Sequence, residues 1–246
     1  MDEQRLARVR KLLAKAENPG VTPEEAETYT AKAAELIAAY GIDRALLAEA
    51  DPTSDLPGDR EVELEAPYAQ EKATLLWAVA RPLRCQGVLR RTYSENCDGE
   101  FTKHLTMHLF GYGSDLERLE LLFTSLLLQL TSGLARTPVP PGEHVAAFRR
   151  TWILGFAAAV HTRLEAAEQG AAAPADRAET GRSVALVLAD RTATVERLLQ
   201  ETYPAVRPGR RRSLQGGGYG GGYGAGSRAD LGGSRLARSG RRSLGR

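Results

Sequence analysis

Leu6, Val9, Leu12, Leu13 and Ala16 recur at steps of three and four residues, a spacing that predicts an amphipathic helix ended by Asn18-Pro19-Gly20. Thr22-Pro23-Glu24-Glu25 reads as an N-cap, a proline at the first helical position and an acid two places on. It predicts a second helix from about Pro23 to Ala39, with Ala26, Tyr29, Ala33, Leu36 and Ile37 facing inward. Gly41 reads as its C-terminal cap, and Ile42-Asp43 as the start of a short third helix through Ala50. Helices this short are marginal alone, so this helical hairpin must pack on itself or on the rest of the chain.

Further along, two patterns alternate. Gln70–Ala80 predicts a helix stopped by Pro82, with Leu75, Leu76, Trp77 and Val79 available for burial. Cys85–Tyr93 and Phe101–Phe110 alternate with period two and are separated by Asp98-Gly99, so they predict an antiparallel hairpin. On the second strand Phe101, Lys103, Leu105, Met107 and Leu109 face one way, and Thr102, His104, Thr106 and His108 the other. Gly111-Tyr112-Gly113 turns the chain into a helix that opens with the capping box Ser114-Asp115-Leu116-Glu117 and runs to about Ser132. After Pro138–Gly142, a helix over Glu143–Glu168 carries Val145, Phe148, Trp152, Phe156, Val160 and Leu164. The facing stripes of these last two helices are the expected heart of the core. Ser183–Asp190 reads as a strand and Ala193–Tyr203 as a final helix, with one continuous helix from Val184 to Tyr203 as the competing reading.

The expected fold class is α+β: an N-terminal helical module over 1–50, a mainly helical domain with a small antiparallel hairpin or sheet over 66–204, and a disordered tail over 205–246. Linkers are expected at Asp51–Gly58 and Gln169–Gly181, where Pro, Gly and small residues gather. The string Val9-Arg10-Lys11-Leu12-Leu13-Ala14-Lys15-Ala16-Glu17, followed by Thr22–Glu27, Ala31–Leu36 and Tyr40-Gly41-Ile42-Asp43, resembles the bacterial and phage family called domain of unknown function 2786. The resemblance covers roughly residues 5–47. It implies an actinobacterial or phage-related setting and brings no activity or site residues with it.

Apolar residues make up 42% of the chain and charged residues 26%, ordinary for a globular protein. The longest apolar runs, Leu121–Leu130 and Trp152–Val160, reach about half the ~20 residues of a membrane span. No secretory leader is read in MDEQRLARVRKLL, so the two cysteines are expected to be reduced thiols in the cytoplasm.

Candidate chemistry is sparse. Cys85, Cys97, His104 and His108 invite a zinc reading but lack the close cysteine pair of ordinary zinc sites. On a strand, residues four apart sit ~13 Å from each other, too far to share one ion. The Gly111-x-Gly113 turn would set a phosphate against Asp115 and Glu117. No nucleotide-loop, nucleophile-elbow or metalloprotease string occurs. No catalytic residue, metal or cofactor is therefore expected.

Charge separates more sharply. Residues 205–246 hold ten of the 33 basic residues and one of the 31 acidic ones, a charge of +9, while the preceding residues carry −7. The same stretch holds 13 of the 25 glycines. It reads as a flexible Arg/Gly ribbon in which Arg210, Arg211, Arg212, Arg228, Arg235, Arg238, Arg241 and Arg242 pair with phosphates, while Tyr219 and Tyr223 stack on unpaired bases. The expected function is that of a non-catalytic accessory protein holding single-stranded DNA or RNA. Two other readings of the tail are a solubilising extension and a segment that folds back on the acidic body. Two other readings of the protein are a module that docks a protein partner through its helical hairpin and Leu-rich helices, with the tail incidental, and an enzyme acting on nucleic acid near Cys97, His104 and His108.

Overall fold

The computed structural model describes residues 23–95, 101–178, 183–207, 209, 214–229 and 231. The first expected helix, the Asp98-Gly99 turn, Cys97, and Arg210, Arg211, Arg212, Arg235, Arg238, Arg241 and Arg242 lie outside these residues. Among the described residues, six helices and one three-stranded antiparallel sheet give the expected α+β fold.

Helix α1 runs unbroken over Pro23–Ala50. The expected break at Gly41 does not occur, and the third helix is simply the end of α1. Gly41 serves packing instead: any side chain there would overlap the guanidinium of Arg118. Ile37, Ala38, Tyr40, Ile42 and Ala45 are buried against the body, so the inner face of this part of α1 is used within the chain.

Strand β1, Pro57–Glu63, was not expected; it lies partly in the stretch read as a linker. It pairs antiparallel with β3, Phe101–Tyr112, which in turn pairs with β2, Gln86–Glu95. The order is β1-β3-β2, with β3 central. On β3, Leu105, Met107 and Leu109 point into the core as the alternation predicts. His108 and Phe110 are buried too, because Tyr203 closes over that end of the opposite face with rings 5.6 and 6.0 Å away.

Helix α2, Ala69–Ala80, sits at the centre with Leu75, Leu76 and Val79 fully buried. Helix α3 is Gly113–Arg136 and α4 is Val145–Ala178. The two stripes join one core, but on the body side α4 packs chiefly on α2 and α1 rather than on α3. Helix α4 continues ten residues past the expected stop and runs through Pro174, so residues 169–178 are helix and not linker. The alanines of this stretch favour helix enough to carry it across the lost donor.

Helix α5, Val184–Thr202, replaces the strand expected at Ser183–Asp190. Its buried positions, Val184, Val187, Arg191 and Val195, follow helical steps of three and four, so the competing reading is the right one. Finally, Tyr219–Ser227 forms a sixth helix, α6, against α4. The flexible ribbon expected from residue 205 onward is thereby corrected over 214–229.

Candidate functional site

Helix α6 contains five glycines in nine residues, each costing about 1 kcal/mol relative to alanine in a helix. Such a segment cannot hold a helix alone. Its order comes from α4. Gly218, Gly222 and Gly226, four apart, lie against the backbone carbonyls of Phe148, Trp152 and Phe156, also four apart. A β-carbon at any of the three would overlap those carbonyls, and one at Gly155 would overlap Tyr219. Side chains from α4 and the loop before it finish both ends. The amide of Gly217 donates to Glu143 Oε2 at 3.0 Å and that of Gly218 to Thr151 Oγ1 at 3.1 Å. At the other end Arg163 donates to the carbonyls of Gly226 and Ala229. An acid at the N-terminus and a guanidinium at the C-terminus both complement the helix dipole.

This docking sorts the expected nucleic-acid residues. Tyr219 and Tyr223 stand on the outer face of α6, 48% and 42% exposed, with ring centroids 6.3 Å apart and planes inclined by 25°. Arg228 is exposed just beyond the helix. The structure thus places three of the expected residues, the two tyrosines on a helix and Arg228 just past its end, where a ribbon was expected.

The histidine region is divided. His108 has both ring nitrogens engaged, Nε2 with Asp59 Oδ2 at 2.8 Å and Nδ1 with the Tyr203 hydroxyl at 2.7 Å. His104 faces Glu63 at 3.3 Å. The two share a sheet face yet serve different carboxylates. Among the described residues, no group of three or more His, Cys, Asp and Glu is placed to hold a metal ion. Burial, helped by the nearby charge of Asp115, pushes the Cys85 thiol well above its ordinary range, which keeps it protonated and unreactive.

The densest chemistry in the fold is a charge network that local sequence gave no sign of. Asp115, 1% exposed, binds Arg118 at 2.8 Å, Arg191 at 3.0 Å and Arg84 at 3.5 Å. Glu168 of α4 takes Arg84 at 3.0 Å and also Arg118. Asp55 takes Arg191 at 2.8 Å, and Arg191 lies 3.6 Å above the Tyr112 ring. Arg84 holds a left-handed backbone, φ 60°, costing about 1 kcal/mol or more, sustained by its two carboxylate partners. Burial opposes its charge, but Asp115 and Glu168 outweigh that and raise its pKa above the ordinary value.

The expected capping box is corrected here as well. Ser114 does not cap α3. Asp55 does, accepting the Ser114 amide at 3.0 Å and its hydroxyl at 2.6 Å. Burial opposes ionisation of Asp55, yet the bonds from Ser114 and Arg191 prevail and hold its carboxyl below the usual carboxylate value. Its contribution is therefore fully present above about pH 4, the unfolded value, and is lost as pH falls through the lower folded value. Asp55→Asn is expected to be less stable than the parent in urea at pH 7, with the gap narrowing below about pH 4. A gap unchanged down to pH 2 would contradict the assignment.

The network ties the loop after α1 and the loop after α2 to α3, α4 and α5. With three carboxylates facing three guanidinium groups, its chemistry is that of a clamp between elements. No helix among the described residues is long and apolar enough to cross a membrane. No curated protein and no solved structure matches the chain. Residues 5–44, ending inside the buried part of α1, match the model of a family described as Protein of unknown function (DUF2786), as the residue motifs of that segment led us to expect.

Proposed function

We propose that this chain is a non-catalytic, cytoplasmic accessory protein that holds single-stranded DNA or RNA, with Tyr219 and Tyr223 on α6 as a stacking platform and the surrounding arginines as phosphate partners. The observation that carries the reading is the exposed tyrosine pair on α6, set within a stretch of charge +9. An unpaired base extends such a stack with little regard to sequence, and neighbouring guanidinium groups neutralise its backbone. Docking on α4 adds pre-organisation, since the platform need not be ordered at the moment of binding.

Fluorescence anisotropy with labelled oligo-dT and oligo-U tests the reading. Affinity should fall with salt at a slope of about −0.7 per neutralised phosphate on a single strand. Tyr219→Ala and Tyr223→Ala should each weaken binding by about 1–3 kcal/mol without altering that slope. An absence of binding at low salt, or affinity indifferent to both tyrosines, would contradict the proposal.

A further inference from the structure

A groove of about 1310 Å³ lies along β2, walled by α2, by Leu154 of α4, by Leu199 of α5 and by Val206, Arg207, Gly209 and Leu214. Its volume exceeds the ~300–1,000 Å³ of ordinary small-ligand pockets. One wall is unusual in kind. Gln86, Gly87, Val88 and Leu89 all line it, although successive strand residues point to opposite faces of a sheet. Residues of both faces meet the groove only if the strand's backbone edge forms the wall. β2 is an outer strand, and its far edge pairs with no other strand among the described residues. Gln70, Thr74 and Trp77 of α2 form the facing wall at helical spacing.

We propose that this groove receives an extended acidic peptide from a protein partner, which adds to the sheet as a fourth strand beside β2. Unpaired edge amides and carbonyls would supply main-chain bonds, and the apolar side chains of Trp77, Leu89 and Leu154 would accept every second residue of the peptide. The intervening residues are acidic because two arginines stand at the groove, Arg91 and Arg207. Both are exposed and neither has a carboxylate partner among the described residues. The carboxylate in the wall, Glu71, is buried and lies 3.9 Å from Arg150. Two-fold antiparallel pairing of β2 with a second copy places one residue opposite its own copy, and a pair centred on Arg91 would set that arginine against itself. Like charges directly opposite disfavour that occupant. From Gln86 to Arg91 the wall spans about 17 Å, the reach of a six-residue strand.

The probe is a blocked synthetic peptide of alternating glutamate and valine, with an alternating lysine–valine peptide and an N-methylated glutamate–valine peptide as controls. Amide exchange of the full chain, followed by NMR, reads the outcome. The glutamate peptide should slow exchange at alternate amides of Gln86–Arg91. Its affinity should drop by about tenfold in the Arg91→Glu/Arg207→Glu double variant, which in turn should favour the lysine peptide. Both positions are exposed, so the variant leaves the core alone, and N-methylation removes peptide donors without touching the protein. Binding without slowed exchange in β2, equal binding of the lysine peptide to the parent, or equal binding of the N-methylated peptide would each overturn the proposal. Oligonucleotide affinity is read separately, so failure here leaves the tyrosine platform standing.

Discussion

Asp115→Ala is expected to cost about 3–5 kcal/mol in urea unfolding at neutral pH, and to lower the melting temperature by roughly 6–20 °C. Asp115 is almost wholly buried and faces three guanidinium groups at 2.8, 3.0 and 3.5 Å. Its removal leaves Arg84, Arg118 and Arg191 with Asp55 and Glu168 alone. These arginines already have N–H groups without acceptors among the described residues: the Nε of all three and Nη1 of Arg191. The cost therefore comes chiefly from stranded positive charge and not from the value of any single pair, since an uncompensated buried ion is far more expensive than a surface one. Asp115→Asn keeps the shape and one acceptor and should fall between the parent and Asp115→Ala. A loss below about 1 kcal/mol for the alanine variant would mean that the network is solvated, as surface pairs are.

Gly222→Ala should detach α6 from α4, whereas Gly220→Ala should strengthen the helix. At 222 the added carbon meets the backbone carbonyl of Trp152, which cannot yield without moving α4. At 220 nothing lies within 4 Å. Alanine there should gain about 1 kcal/mol of helix propensity. Release of α6 also uncovers the stacked pair of Trp152 and Phe156, so tryptophan fluorescence should shift to the red in Gly222→Ala and stay unchanged in Gly220→Ala. A mobile ribbon would show no difference between the two positions, and that contrast makes the pair informative.

Helical and alternating periodicity in the sequence located α2, α3, most of α4 and the β2–β3 hairpin, because each buries a face whose spacing is local. What the sequence hid depends on distant partners. β1 reads PGDREVE, with Val62 its one aliphatic side chain, so only its pairing with β3 makes it a strand. Gly41 has the look of a cap, but its small size serves Arg118, far along the chain. Asp55 and Arg191 meet across 136 positions and Arg84 and Glu168 across 84, separations that no motif records. The Gly/Tyr stretch is the subtlest case. Its composition fits a flexible nucleic-acid ribbon and a close-packed helix equally well. The deciding signal is the four-residue spacing of Gly218, Gly222 and Gly226, and it gains meaning only beside Phe148, Trp152 and Phe156 of α4.

Hydrogen exchange of the α6 amides tests most directly whether the Gly/Tyr segment is a fixed part of the fold. The Gly222 amide donates to the Gly218 carbonyl at 3.0 Å, and that of Gly218 to Thr151. Both should exchange about 100-fold or more slowly than in an unstructured peptide, and Gly222→Ala should abolish the difference. Exchange of these amides at unprotected rates in the parent protein would contradict the docked helix and the tyrosine platform built on it.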